Sequence, residues 1–122
     1  MQKKDPFLIN RIKSVGYALK GAVLLIKTEP SIKIQFFIGL IVTAAGFYYN
    51  ISTTEWTIQI LAIALVMSVE GANTAIEEIA NFIHPEYHIK IGKIKDIAAG
   101  AVFIASVFAV IVGLIIYIPK IF

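Results

Sequence analysis

The sequence has no cysteine, and charge is scarce. Without cysteine there are no disulfides, no thiolate metal ligands and no cysteine nucleophile. Asp, Glu, Lys and Arg make up 16% of the 122 residues, against about 25% in an ordinary soluble domain. So little charge argues against intrinsic disorder and against a basic surface for nucleic acid, even though the formal net charge is +3. Phosphate-binding loops are missing too. Gly16 and Gly21 have Walker A spacing, but Ala22 follows where lysine is required. No glycine-rich kinase loop and no serine in a nucleophile elbow occur. What the chain has is apolar residues, 58% of the total with a mean hydropathy of +0.82, arranged in long uncharged runs. It reads as a single membrane-embedded domain over residues 1–122.

Three runs are long enough to cross a hydrocarbon core, which takes about 20 residues. They cover residues 34–51, 56–83 and 97–118, the last ending at Pro119. A tight turn, Asn50–Glu55, joins the first two. The connection His84–Asp96 holds Lys90, Lys93 and Lys95, and the first 33 residues hold seven Lys or Arg against Asp5 and Glu29. The positive-inside rule then places the N-terminus and residues 84–96 in the cytoplasm, the chain being a multi-pass protein of the cytoplasmic membrane.

Ahead of these spans, residues 7–28 show helical periodicity. Lys13, Lys20 and Lys27 share one face, while Leu8, Ile12, Val15, Leu19, Val23 and Ile26 form an apolar one. That pattern suits a helix lying in the membrane interface, although a positive-inside anchor would need the lysines alone. Basic residues every few positions distinguish the segment from a signal peptide. Thr28-Glu29-Pro30 breaks it. The expected fold is therefore all-α: an amphipathic surface helix followed by three transmembrane helices.

The second span carries the chemistry. At about 100° per residue, Glu70, Asn73, Thr74, Glu77 and Asn81 fall within one arc of the helix, with Glu78 just beyond. A charged group at the bilayer centre costs at least about 2.5–3.5 kcal/mol, so this stripe must face protein or water. Asn73, Thr74 and Asn81 would serve well as an interhelical hydrogen-bond seam. Two glutamates two turns apart would not, because their like charges repel. Glu77 lies about 10 Å nearer the cytoplasmic end than Glu70. It is placed to meet a soluble phosphate-bearing substrate through a hard cation such as Mg²⁺. Glu70 is placed to act as general base at a lipid headgroup.

Lys95-Asp96, at the expected start of the third span, would add a phosphate-binding lysine and an N-capping aspartate. Glu29 is a further interfacial carboxylate, able to complete a metal site with Glu77. His84 and His88 flank Glu86, but Pro85 disfavours a common helix face and argues against zinc.

Glu70-Gly-Ala-Asn73-Thr-Ala-Ile-Glu77, then Glu86-Tyr87-His88, then Lys95-Asp96-Ile-Ala-Ala-Gly-Ala-Val102 together resemble the signature of the small bacterial integral-membrane diacylglycerol kinases and undecaprenol kinases. Gly16-Tyr17-Ala-Leu-Lys20-Gly21 and Glu29 fit the same pattern, and the similarity runs from about Arg11 through the third span. The resemblance implies an ATP- and Mg²⁺-dependent lipid kinase and a homotrimer whose active sites are shared between neighbouring subunits. Glu70 would be the catalytic base, Glu29 and Glu77 the metal ligands, and Asn73 a supporting residue. Arg11, Tyr17, Glu29, Glu77, Glu86, Tyr87, His88, Lys95 and Asp96 would surround ATP. Arg11 stands one position nearer Gly16-Tyr17 than in the best-known enzymes, which leaves Lys13 as an alternative. Ala18-Leu19 lacks the tryptophan of the diacylglycerol-specific branch, and Ala98-Ala99-Gly100-Ala101 resembles the undecaprenol branch. Both acceptors stay open. A different class of reading, a proton or cation pathway, would also use intramembrane carboxylates. It requires polar groups on the other spans, and the third offers only Ser106 and Tyr117.

Overall fold

The computed structural model describes residues 6–122, so Lys3, Lys4 and Asp5 of the charge bias lie outside the described residues. Four helices follow one another: α1 (Phe7–Thr28), α2 (Pro30–Tyr48), α3 (Thr53–Ile83) and α4 (Ile89–Ile121). There is no strand among the described residues. α2, α3 and α4 are each long and apolar enough to cross a membrane. At 1.5 Å per residue they measure about 28, 46 and 50 Å, so α3 and α4 exceed a core of about 30 Å. This is an all-α membrane protein.

The helix ends follow from local chemistry. Glu29 is extended (φ −94°, ψ 115°) and serves at once as C-cap of α1 and N-cap of α2. Pro30 then takes the first helical position, where its missing N–H removes no bond. α2 consequently begins four residues before the expected span and ends three residues earlier. Asn50, at φ 52°, makes the turn, in a region that Asn tolerates better than most residues. Ser52 and Glu55 then form a reciprocal capping box, with Glu55 N donating to Ser52 Oγ (3.1 Å) and Ser52 N to Glu55 Oε1 (2.9 Å).

The second connection is much shorter than the expected His84–Asp96. α4 starts at Ile89, and its N-cap is His88, whose Nδ1 accepts from Lys90 N at 3.0 Å. Lys90, Lys93, Lys95 and Asp96 thus lie on the first turns of α4. Asp96 is no cap. Pro119 does not end α4 either. So close to the terminus it deletes one backbone bond; the last turn still closes through Phe122 N to Ile118 O (3.0 Å), and Lys120 Nζ donates to the Ile116 carbonyl (3.0 Å).

α3 is the centre of the bundle, packed along α4 on one side and α2 on another, while α1 packs on α2. The register of α3 against α4 is antiparallel. Lys95 meets Asn81 and Tyr117 meets Gln59, a step of 22 residues on each helix. α2 packs tightly on α3 where Gly46 faces Trp56: a Cβ there would lie 2.6 Å from the indole. The buried apolar set among the described residues is small, comprising Ile32, Ile51, Val66, Ala80, Ala98, Ala105 and Ile116. Large aliphatic and aromatic side chains cover the outside instead, a surface suited to lipid or to neighbouring subunits. α1 has no buried residue; its three in-register lysines and its apolar residues other than the half-buried Leu25 are alike exposed.

Candidate active site

Exposure rises along the polar stripe of α3. Glu70 and Asn73 are buried, Thr74 is half-buried, and Glu77 and Asn81 are exposed. Asn73 joins the two acids, its Nδ2 donating to Glu70 Oε2 at 3.3 Å and to Glu77 Oε1 at 2.8 Å. From α2, Gln35 Nε2 donates to Glu70 Oε1 at 2.9 Å. Each oxygen of Glu70 therefore receives an amide hydrogen. Such donors offset the large cost of burying a carboxylate and fix its orientation. The opposite atoms of the same amides, Gln35 Oε1 and Asn73 Oδ1, are buried and accept no hydrogen bond among the described residues. One wall of the site is α1, because Leu25 Cδ1 lies 3.0 Å from where a Cβ on Gly71 would be. Glycine beside Glu70 lets the first helix come this close.

The other residues singled out in the sequence surround this centre more loosely. Lys95 Nζ donates to Asn81 Oδ1 at 2.6 Å, tying the start of α4 to the exposed end of the stripe. Asp96 is exposed one residue on. Glu29 is half-buried at the α1–α2 joint, and no hydrogen bond between its side chain and Glu77 occurs among the described residues. Tyr17 is exposed, and Arg11 stacks its guanidinium on Phe7, 5.1 Å from the ring centroid. In the short loop, the Glu86 carbonyl accepts from His84 Nδ1 (2.7 Å), which places the proton on that nitrogen. Tyr87 is exposed, and the rings of His84 and His88 meet edge to face at 5.3 Å. Among the described residues no three His, Asp or Glu side chains gather to hold a metal ion. The chain by itself thus brings together Glu70, Asn73 and Glu77, and separately Lys95 and Asn81.

A second polar cluster sits at the other end of the bundle. Tyr117 Oη donates its one proton to Gln59 Oε1 (2.5 Å) and lies 3.1 Å from the Val42 carbonyl, which can only share that proton, so one hydroxyl joins α4, α3 and α2. Beside it Lys120 pairs with Glu55 at 2.7 Å. Between this cluster and Glu70 lies a cavity of about 290 Å³ whose walls, apart from Gln35, Gln59 and Ser106, are apolar. That apolar stretch interrupts any polar route through the membrane and does not favour an ion pathway.

Gln35 is the site residue to which the sequence assigns no role, whereas Asn81 makes the interhelical bond that its place in the stripe suggests. The signal for Gln35 was present, an amide in the middle of an otherwise aliphatic span. The spacing within one helix does not reveal which neighbour such an amide meets.

Comparison with known proteins gives this geometry a context. Residues 16–117 match the family model for prokaryotic diacylglycerol kinase. The chain is 35% identical over 113 residues to an undecaprenol kinase of Bacillus subtilis, covering 92% of each chain. It is 32% identical over 100 residues to a diacylglycerol kinase of Escherichia coli, covering 82% of each. It is 31% identical over 102 residues to one of Haemophilus influenzae, covering 84% of this chain and 86% of the other. With a match across most of its length, and with an acid–amide–acid array on its central helix, the chain belongs to the prokaryotic diacylglycerol kinase family.

Proposed function

We propose that this membrane lipid kinase transfers the γ-phosphoryl group of ATP, with Mg²⁺, to the hydroxyl of diacylglycerol or undecaprenol. The observation that carries the reading is the Glu70–Asn73–Glu77 array, one buried acid and one exposed acid held by the same amide. The lipid oxygen attacks the γ-phosphorus, Glu70 takes the hydroxyl proton, and the bond to the β-phosphate oxygen breaks to release ADP. Gln35 and Asn73 hold the carboxylate for that step. Lys95, positioned by Asn81, meets phosphate oxygens, with Arg11 or Lys13, Tyr17, Glu86, Tyr87, His88 and Asp96 around the nucleotide.

Glu77 suits a hard cation: it is exposed, and the bond from Asn73 engages only Oε1. Mg²⁺ needs one or two carboxylates besides phosphate and water oxygens, which fits a Glu29 and Glu77 pair. When bound, it would neutralise charge on the transferring phosphates. The exposure of Tyr17 and Tyr87, with so much apolar surface on the spanning helices, supports a homotrimer with sites completed by neighbouring subunits. The lysines near the α3–α4 connection support a cytoplasmic nucleotide side.

The test is transfer from labelled ATP in mixed micelles, with diacylglycerol and undecaprenol supplied separately and Glu70→Gln as control. Label in one lipid, lost in the variant, supports the reading and selects the acceptor. Label in neither lipid, from folded protein with Mg²⁺ present, overturns it.

A further inference from the structure

α2 and α4 both pack on α3 and are bridged at their far end by the Tyr117 hydroxyl. The space between them is a slot floored by α3, of about 290 Å³. Its two ends differ. At one end is Gln35, the residue that bonds Glu70; at the other is the Tyr117–Gln59–Val42 clasp. From Glu70 to Gln59 is eleven residues of α3, or about 16 Å. The lining between them is aliphatic, with Ile38, Ile63, Val66, Val110 and Gly113 among its members.

We propose that this slot receives one apolar chain of the acceptor lipid, the stretch next to the reacting hydroxyl, and that the clasp limits how much of that chain enters. The inference rests on Glu70 as the base that meets the hydroxyl. Continuity selects the occupant. Gln35 touches Glu70 with its nitrogen and also lines the slot, so a hydroxyl that meets Glu70 lies at the mouth of the slot. A chain hanging from that hydroxyl continues along aliphatic walls, as pockets with a few polar groups at one end commonly arrange. The slot has room for a single chain; the remainder of the lipid lies outside in the bilayer.

Gly113 provides the test. It lines the slot, and a Cβ there meets no heavy atom within 4 Å, so a larger residue at this position begins in open space. By the α3–α4 register Gly113 is level with Ile63, seven residues or about 10 Å from Glu70. Gly113→Leu should raise KM for dioleoylglycerol and undecaprenol on the order of ten-fold. KM for ATP should stay unchanged, as should turnover of dibutanoylglycerol, whose chains are too short to reach Gly113. Equal loss with short and long acceptors, or no change with either, overturns the slot.

Should the variant fail to fold, a long-chain diacylglycerol with a diazirine in mid-chain, irradiated with the unaltered protein, decides instead. Adducts at Ala62, Ile63 or Gly113 that excess undecaprenol or dioleoylglycerol suppresses support the slot. Adducts confined to outward-facing residues, or equal labelling by a diazirine phosphatidylcholine, overturn it. Crosslinking needs no turnover, so its outcome stands apart from that of the phosphotransfer reading, which fails only if the unaltered protein labels no lipid.

Discussion

Gln35 reaches across from α2 to donate to Glu70 Oε1 at 2.9 Å, holding the buried acid of α3 from outside its own helix. Asn73 supplies the second bond from within α3, at 3.3 Å. The shorter of the two comes from the residue 35 positions away. The carboxylate's orientation therefore depends on how α2 docks, and strain between α2 and α3 would be felt at the site.

Gln35→Leu should lower kcat by roughly ten- to a hundred-fold while leaving KM for ATP near its original value. The variant removes one charge-assisted bond, worth about 1.5–3 kcal/mol. Steady-state kinetics with each substrate varied in turn checks it. A rise in KM for ATP alone would detach Gln35 from Glu70's role.

Asn73→Leu should be more damaging, because one amide serves both acids. Without it two carboxylates two turns apart on one helix face have no shared donor between them, so both kcat and thermal stability in micelles should fall. Asn73→Asp should be worse still, since it adds a third carboxylate. An Asp variant more stable than the Leu variant would contradict this account.

Glu77→Ala should move the Mg²⁺ titration of activity to higher concentration, with chelation abolishing activity in both proteins. Glu77 is exposed and bonded only through Oε1, so the substitution should leave stability largely intact. An unchanged titration midpoint removes Glu77 from the metal site.

Gly46→Ala should destabilise the α2–α3 packing by about 1–3 kcal/mol, the usual cost of overfilling a tight contact. The added carbon would meet the Trp56 ring at 2.6 and 2.8 Å and Ile51 at 3.1 Å, and an indole cannot swing away as a flexible side chain would. Thermal unfolding in micelles is the measurement. Gly113→Ala, which meets nothing, is the matched control.

Tyr117→Phe should cost more than Lys120→Met, although the second removes an ion pair. Interhelical hydrogen bonds in membranes contribute about 0.6–1.7 kcal/mol, and the Tyr117 hydroxyl engages two helices at once. The Glu55–Lys120 pair is 24–28% exposed, so solvent screening holds it to at most about 1 kcal/mol. Unfolding of the two variants in one micelle system ranks them.

The helices and the central acids were legible in the sequence because both depend on local periodicity. Runs without charge mark the hydrocarbon core, however, and say little about where a helix stops. α4 continues through Asp96 to Ile89, and Pro30 opens α2 instead of preceding it. Pro119 was misjudged for a related reason: near a terminus the missing N–H costs a single bond. The stripe itself needed only a helical wheel. Its cross-helix partners Gln35 and Lys95 were beyond such reasoning, because the register between helices comes from packing among residues far apart in the chain.

Glu55 has its two oxygens committed to partners at very different distances along the chain. Oε1 accepts from Ser52, three residues behind it, and that bond can form as soon as the α2–α3 turn exists. Oε2 accepts from Lys120, 65 residues later on α4. The α2–α3 hairpin is therefore capped by its own residues, yet it leaves one carboxylate oxygen of Glu55 for a partner from α4. With α4 packed on α3, that oxygen receives the Lys120 ammonium, and one side chain ties the α2–α3 turn to the far end of α4.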